Sequence, residues 1–574
     1  MASKPRAARA ARPASLPTTS VSRKLTKATK KDRPAKKRRL VAKPAKTIAS
    51  KSPSWLKPEE SLYIPESAAR EIAHWPDWLS TRPNYGSATF SSSWAAEAIA
   101  WTERLSAVAA GREALAEEAV LLADLKIMAE EASALSLEAN PLTHQLLRGE
   151  LRIKLGVVTG DASLAEAGYQ SILEGLGQLL DGEGTPHKKH LQEFPDLVAC
   201  WLRSLRIIKR KKLDGLKLSE QQTEALANCK WLPLRLAQFS RAWGDRIFSP
   251  PDSAKIPASL ILDGLKFWGD AKDRRNTACL RADLVKPVPK PAIEKLSRAV
   301  CGDWSGVAVF RSQPQPDSAY IGVAYEDHEF QLEFGAKSVP LVSGNAALHL
   351  TRDGHALAPT GVWEEVCRHQ EPNVEYWELE RTYERGVWVQ RQIVLASKDE
   401  FAYVCDNIVA DSAGDLGYSL ELPLAKDTIA TQADETREIT LGAAKIRASL
   451  LPLAAEEWRT TPSNFDLQVV NERLRVTGAT KKQRMAIPWI VDLRGGRKLE
   501  EVTWRQLRVA ENLENLPRDI VVAFRWQIGQ SQWMAYRSLA APSNRTVLGQ
   551  NLVGDFFLAR LTSEGKTKMI VEIE

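Results

Sequence analysis

The sequence predicts an α+β multidomain protein: a block of helical hairpins, then a large antiparallel β-sandwich. Three observations predict it. Apolar residues recur every three or four positions through residues 53–300, the period falls to two after Trp304, and no helical stretch interrupts the strand-like segments that follow. The longer period marks amphipathic helices and the shorter one half-buried strands. Strands without interleaved helices pair antiparallel and stack as a sandwich. At 574 residues the chain exceeds one ordinary core. The expected division is a basic tail over 1–52, a helical domain over 53–300 and a sandwich over 301–574.

The tail carries 17 Lys/Arg against the single acid Asp32, so it accounts for more than the whole net charge of +8, and the remainder is mildly acidic. Rich in Lys, Arg, Ala, Pro and Ser, it has too little apolar surface to offset ordering entropy and is expected to be disordered. A polycationic arm of this kind binds polyanions, nucleic acid included, through phosphate contacts and counterion release. "KKDRPAKKRR" also has the form of a nuclear address. The start lacks the apolar core of a secretory signal, so the expected location is cytoplasmic. No apolar run reaches the ~18 residues of a membrane span.

The helices follow in order. "SSWAAEAIAW…ASALSL" holds at least two, broken near Gly111. "THQLLRGELRIKLGVVTG" stops at a glycine, and "DASLAEAGYQSILEGLGQLL" opens on Asp161 as an N-cap. "HLQEFPDLVACWLRSLRIIKRKK" ends in a basic turn that suits the helix dipole. "SEQQTEALANCKWLPLRLAQFSRAWGDRIF" reads as a further helix. Short loops between helices of similar length imply stacked antiparallel hairpins.

About a dozen strands are expected after Trp304, with "RTYERGVWV" as a hairpin around Arg385-Gly386. Two positions break the apolar-in alternation. In "HEFQLEF", His328 shares a face with Phe330, Leu332 and Phe334. In "VWVQRQIVL", Arg391 shares a face with Val387, Val389, Ile393 and Leu395. A titratable group on a buried face needs a partner, and Asp406 on the next strand is the candidate for Arg391.

Other chemistries have little support. The six cysteines are scattered without a CxxC and read as reduced core thiols. There is no GxSxG, P-loop, GxGxxG after a strand, or HExxH. Acid pairs such as Glu117/Glu118 and Glu130/Glu131 lie on amphipathic helices and read as solvated faces. Eighteen tryptophans suit large cores and sugar-binding grooves alike.

Three sets of residues resemble the heparinase II/III family of polysaccharide lyases: "VFRSQPQPDSAYIGVAYEDHEFQLEFGAKSVPLVSG"; "RTYERGVWVQRQIVLASKDEFAYVCDNIVA"; and "NPLTHQLLRGELRIKLGVVTGD" with "LLDGEGTPHKKHLQEF". The resemblance implies an incomplete (α/α) toroid before the sandwich and β-elimination at a uronic acid of an acidic polysaccharide such as a glycosaminoglycan. It places His144, His190 and His328 as catalytic candidates, with Asn140, Arg148, His187 and Arg391 on the substrate. No cofactor is implied.

The sequence departs from the family at two places. The turn before His190 lacks the family's tyrosine; between residues 53 and 300 only Tyr63, Tyr85 and Tyr169 occur. Where the family places a metal, this chain has Asp327, His328 and then Ser343, and neighbouring strand residues point to opposite faces, so no metal is expected. Three functions stay open: a lyase, an acidic-glycan-binding protein on the same scaffold, or a nucleic-acid-associated protein acting through residues 1–52.

Overall fold

The computed structural model describes Leu79, residues 92–105, Val108 and most of 113–574, apart from short breaks at 114–115, 214–216, 250–252, 445, 495–499 and 563. The tail over 1–52 and the break near Gly111 lie outside the described residues.

The helical part runs from Ser92–Trp101 to Glu294–Arg298. Its central hairpin forms as the sequence predicts. The helix Arg152–Thr159 stops at Gly160, whose φ of 75° is left-handed. The next residue, Asp161, caps Ala162–Gln178 by accepting from the Ser163 and Leu164 amides at 3.1 Å each. The two helices touch backbone to backbone: a Cβ on Gly168 would lie 2.8 Å from the Ile153 backbone nitrogen. Pro141–His144 enters this hairpin through a π-helical turn, Gln145–Leu151. Phe194–Lys211 keeps its basic last turn and buries one face deeply. The stretch from Ser219 is not one helix. It divides into Glu220–Asn228, a 3-10 turn Cys229–Trp231 and Leu232–Gln238, because Pro233 cannot continue the preceding ladder and instead opens a new first turn.

Strands begin at Ala299–Gly302, and 27 occur among the described residues, more than twice the expected number. They form five antiparallel sheets. The first, over 299–345, is a meander in chain order. The central eight-stranded sheet orders Glu364–Glu371, Val374–Tyr383, Val387–Ala396, Phe401–Ala410, Arg484–Asp492 and three shorter strands over 429–451. One face of it packs with the first sheet and a second five-stranded sheet; the other packs on a C-terminal five-stranded sheet over 502–573. Every residue of Phe401–Ala410 is therefore buried, and the alternation expected of a half-solvated strand vanishes there. The Arg385-Gly386 hairpin is present, with φ of 57° and 62°.

His328 is a correction. It lies not on a buried strand face but in the exposed turn between Tyr320–Glu326 and Glu329–Ala336, entered through Asp327 at φ 45°.

Candidate functional site

The turn over 179–193 organises the site. Asp181 Oδ1 accepts from the Glu183 and Thr185 amides at 2.8 Å each, and Leu180 bridges Pro186. With its carboxylate held inside the turn, Asp181 serves geometry. The chain then passes through His187 into the 3-10 turn Lys188–His190 and on to Phe194–Lys211.

Two other segments close on this turn. From the helical side, Glu138 pairs with Lys189 at 3.9 Å, and the Glu193 carboxyl lies near the Leu142 backbone. These contacts bring Asn140–His144 against His187–Glu193. From the sandwich, the Lys188 ammonium meets Glu329 at 2.5 Å and Glu326 at 3.8 Å, and the Lys188 amide donates to the Ser305 carbonyl at 2.8 Å. The turn that holds His328 thus sits over the same place. Trp304, half-exposed, sets its ring edge-on to His187 at 5.5 Å, and the His187 and His190 rings lie 6.4 Å apart.

His144 is 1% exposed. Arg148 Nη1 lies 3.1 Å from its Nε2 and the Gln145 side-chain nitrogen 3.2 Å from its Nδ1. The Gln145 amide orientation follows from its other bonds: its oxygen accepts from the Trp201 indole at 2.8 Å and its nitrogen donates to the Ser171 carbonyl at 2.9 Å. Donors therefore face both ring nitrogens, while a neutral imidazole has one acceptor nitrogen. Burial first, then the Arg148 and Arg152 charges, push the His144 pKa down to about 4. Burial, then Lys189 and His187, push His190 down to about 4 as well. His187 is lowered by burial despite the carboxylates of Glu326 and Asp327.

Two polar groups at this place are uncommitted. The half-buried Asn140 side chain does not cap its helix and has no hydrogen-bond partner among the described residues. Among the described residues Arg148 has only His144 as a hydrogen-bond partner, and its Nε is buried without one. A cation without a carboxylate, beside a free amide, is suited to an incoming anion.

Two expected contacts are absent. Arg391 is 2% exposed and forms a bidentate pair with Asp406, at 2.7 Å for both bonds, between the rings of Phe330 and Trp363. It presents nothing to a ligand, because the register sets its expected partner directly opposite. His328 Nδ1 accepts from Arg381 Nη2 at 2.6 Å, so the residue reaches the site through its turn while its ring is tied to the sandwich. Ser343, considered for a metal, donates instead to Glu333 at 2.8 Å. Among the described residues no group of three or more His, Cys, Asp or Glu is placed to hold a metal ion.

Sequence reasoning missed Glu193, Trp304 and Tyr325. Glu193 is half-buried, and burial pushes its carboxyl up. Tyr325 donates to Asp303 at 3.2 Å, one turn from Ser305, so a tyrosine approaches the site from the sandwich and not from the helices. Tyr169, the helical candidate, is core. Periodicity places Glu193 on a helix and Tyr325 on a strand but says nothing of their role, and only the docking of the layers brings the three to the turn.

A cleft of about 610 Å³ behind the turn is lined by Asp181, Gln170, Glu174 and Gln222, and none of the four site histidines touches it.

No family model and no curated protein sequence matches the chain. Solved structures do. Heparinase III aligns at a TM-score of 0.57 and 9% identity, over 82% of this chain and 79% of that one. A mutant of the heparan sulfate lyase HepC from Pedobacter heparinus aligns at 0.54 and 13%, over 82% and 78%. A further heparinase III aligns at 0.53 and 11%, over 82% and 80%.

Proposed function

We propose that this chain, which has the heparinase-like polysaccharide lyase fold of helices followed by antiparallel sheets, acts on a uronic-acid-containing polysaccharide by β-elimination. The observation that carries the reading is Arg148, with no carboxylate partner among the described residues and bonded to His144, on a segment tied through Glu138 and Lys189 to the turn that holds His190.

The uronate carboxylate is drawn to Arg148 and Asn140. Charge neutralisation there makes the C5 proton more acidic. As Arg148 turns to the carboxylate, His144 Nε2 loses a donor and regains acceptor capacity. A neutral imidazole, His190 or His144, takes the C5 proton as the C4–O4 bond breaks, the C4–C5 double bond forms and O4 is protonated. With folded values near 4, His144 and His190 are neutral bases at neutral pH, and the imidazole that has taken the C5 proton is the group that returns a proton to O4. His187 and Trp304 offer a flat edge for the neighbouring sugar.

Binding without turnover is the second reading. It is favoured by the capture of both His144 nitrogens and by the absence of a tyrosine from the 187–193 turn. Incubation with heparan-, chondroitin-, hyaluronan- and alginate-type polymers, followed by absorbance of the new double bond, tests the lyase. Product that disappears in His190→Ala supports it. Binding with no product from any polymer supports the second reading, and neither product nor binding rejects both.

A further inference from the structure

A cleft of about 390 Å³ lies far along the chain from the site above, where the central sheet and the C-terminal sheet part. Strand Arg484–Asp492 forms one wall. Its residues alternate: Met485 joins the sandwich core, and Ala486 joins the second core with Val522 and Phe524. Arg484 shares the Ala486 face and opens the strand, so it stands at the mouth of the gap between two core layers. Phe465, half-buried, and Phe524 provide apolar surface.

Charge in this cleft is uncommitted. Arg484 is half-buried, yet its guanidinium has no hydrogen bond or ion pair among the described residues. Buried arginines elsewhere in the sheets are engaged, as Arg391 is with Asp406 and Arg537 with Glu378. Asp519, also half-buried in the same cleft, has no hydrogen bond or ion pair among the described residues either. Arg518 and Glu456 hold each other at 3.6 Å, and Lys482 adds an exposed positive charge. Half-buried charges left unpaired across one cleft cost stability unless a ligand completes them. The volume is that of a small-molecule site.

We propose that this cleft binds a small hydroxylated carboxylate with an apolar face. The carboxylate pairs with Arg484 and Lys482, a hydroxyl donates to Asp519, and the apolar face lies on Phe465. A free sugar acid and a hydroxylated aromatic acid share this chemistry.

The test is calorimetry on the full chain with glucuronate and, separately, 4-hydroxyphenylacetate, each at millimolar concentration, with glucose as the neutral control. At least one acid is expected to bind, and glucose is not. Arg484→Ala is expected to weaken binding at least about tenfold, and Asp519→Asn to weaken it less. Neither variant should unfold below the wild-type temperature without ligand, since neither removes a hydrogen bond or ion pair found among the described residues. Arg484→Gln, with nearly the same stem, serves if the alanine variant does not fold. Which acid binds identifies the ligand type. Binding by neither acid, or binding that survives loss of Arg484, overturns the proposal.

Discussion

Arg391 and Asp406 face each other across neighbouring strands of the central sheet and form two 2.7 Å bonds with almost no access to water. Tyr418 adds a third donor to the same carboxylate at 2.7 Å. Two ions this deep are tolerable only as a completed set.

Asp406→Ala leaves the guanidinium alone between aromatic rings and is expected to destabilise the fold by about 3–5 kcal/mol. Replacing both residues, Arg391→Met with Asp406→Leu, should recover most of that loss. Denaturant unfolding measures both, and a double variant no better than the single one contradicts the account.

Histidines set the response to acid. His144 and His190 have folded pKa values near 4, below the ordinary 6.5. Between these values the unfolded chain binds protons that the folded chain refuses, so stability falls as pH drops through the window and levels below it. The loss is at most about 3 kcal/mol for each histidine. His190→Gln should flatten the pH slope of unfolding between 6.5 and 4 relative to wild type; identical slopes would contradict the shift.

Arg148 is the second cause of the low His144 pKa, after burial. Arg148→Ala should raise the His144 titration, read from its ring proton resonances, and should weaken binding of a polyuronate at low salt. A titration that stays in place separates burial from charge and removes the proposed coupling.

Glu333 joins the helical part to the first sheet. Its buried carboxylate accepts from Arg241, from the Tyr320 and Ser343 hydroxyls and from the Phe248 amide. Glu333→Ala should cost several kcal/mol, on the order of 3–5, and should speed amide exchange over residues 239–248. Exchange that rises uniformly across the chain contradicts a local role.

Where a feature depends on neighbours in the chain, the sequence was legible. The Gly160 stop, the Asp161 cap and the Arg385-Gly386 hairpin are local chemistry. The Arg391–Asp406 partnership was visible because one short hairpin connection sets the register. His328 was misplaced because a turn residue adjoining an apolar strand continues its alternation on paper. Glu193, Trp304 and Tyr325 were missed because layers distant in sequence bring them to one turn. Pro233 was overlooked because its flanking helices share one apolar period.

The central sheet has cores on both faces, which makes it a party wall between two buildings. Val394, Phe401 and Tyr403 pack against Phe524, Trp526 and Phe556 of the C-terminal sheet. A truncation that removes this outer sheet would lay bare a broad oily slab instead of a solvated one, so shortened versions of the chain should precipitate or self-associate even where every residue of the candidate site is intact.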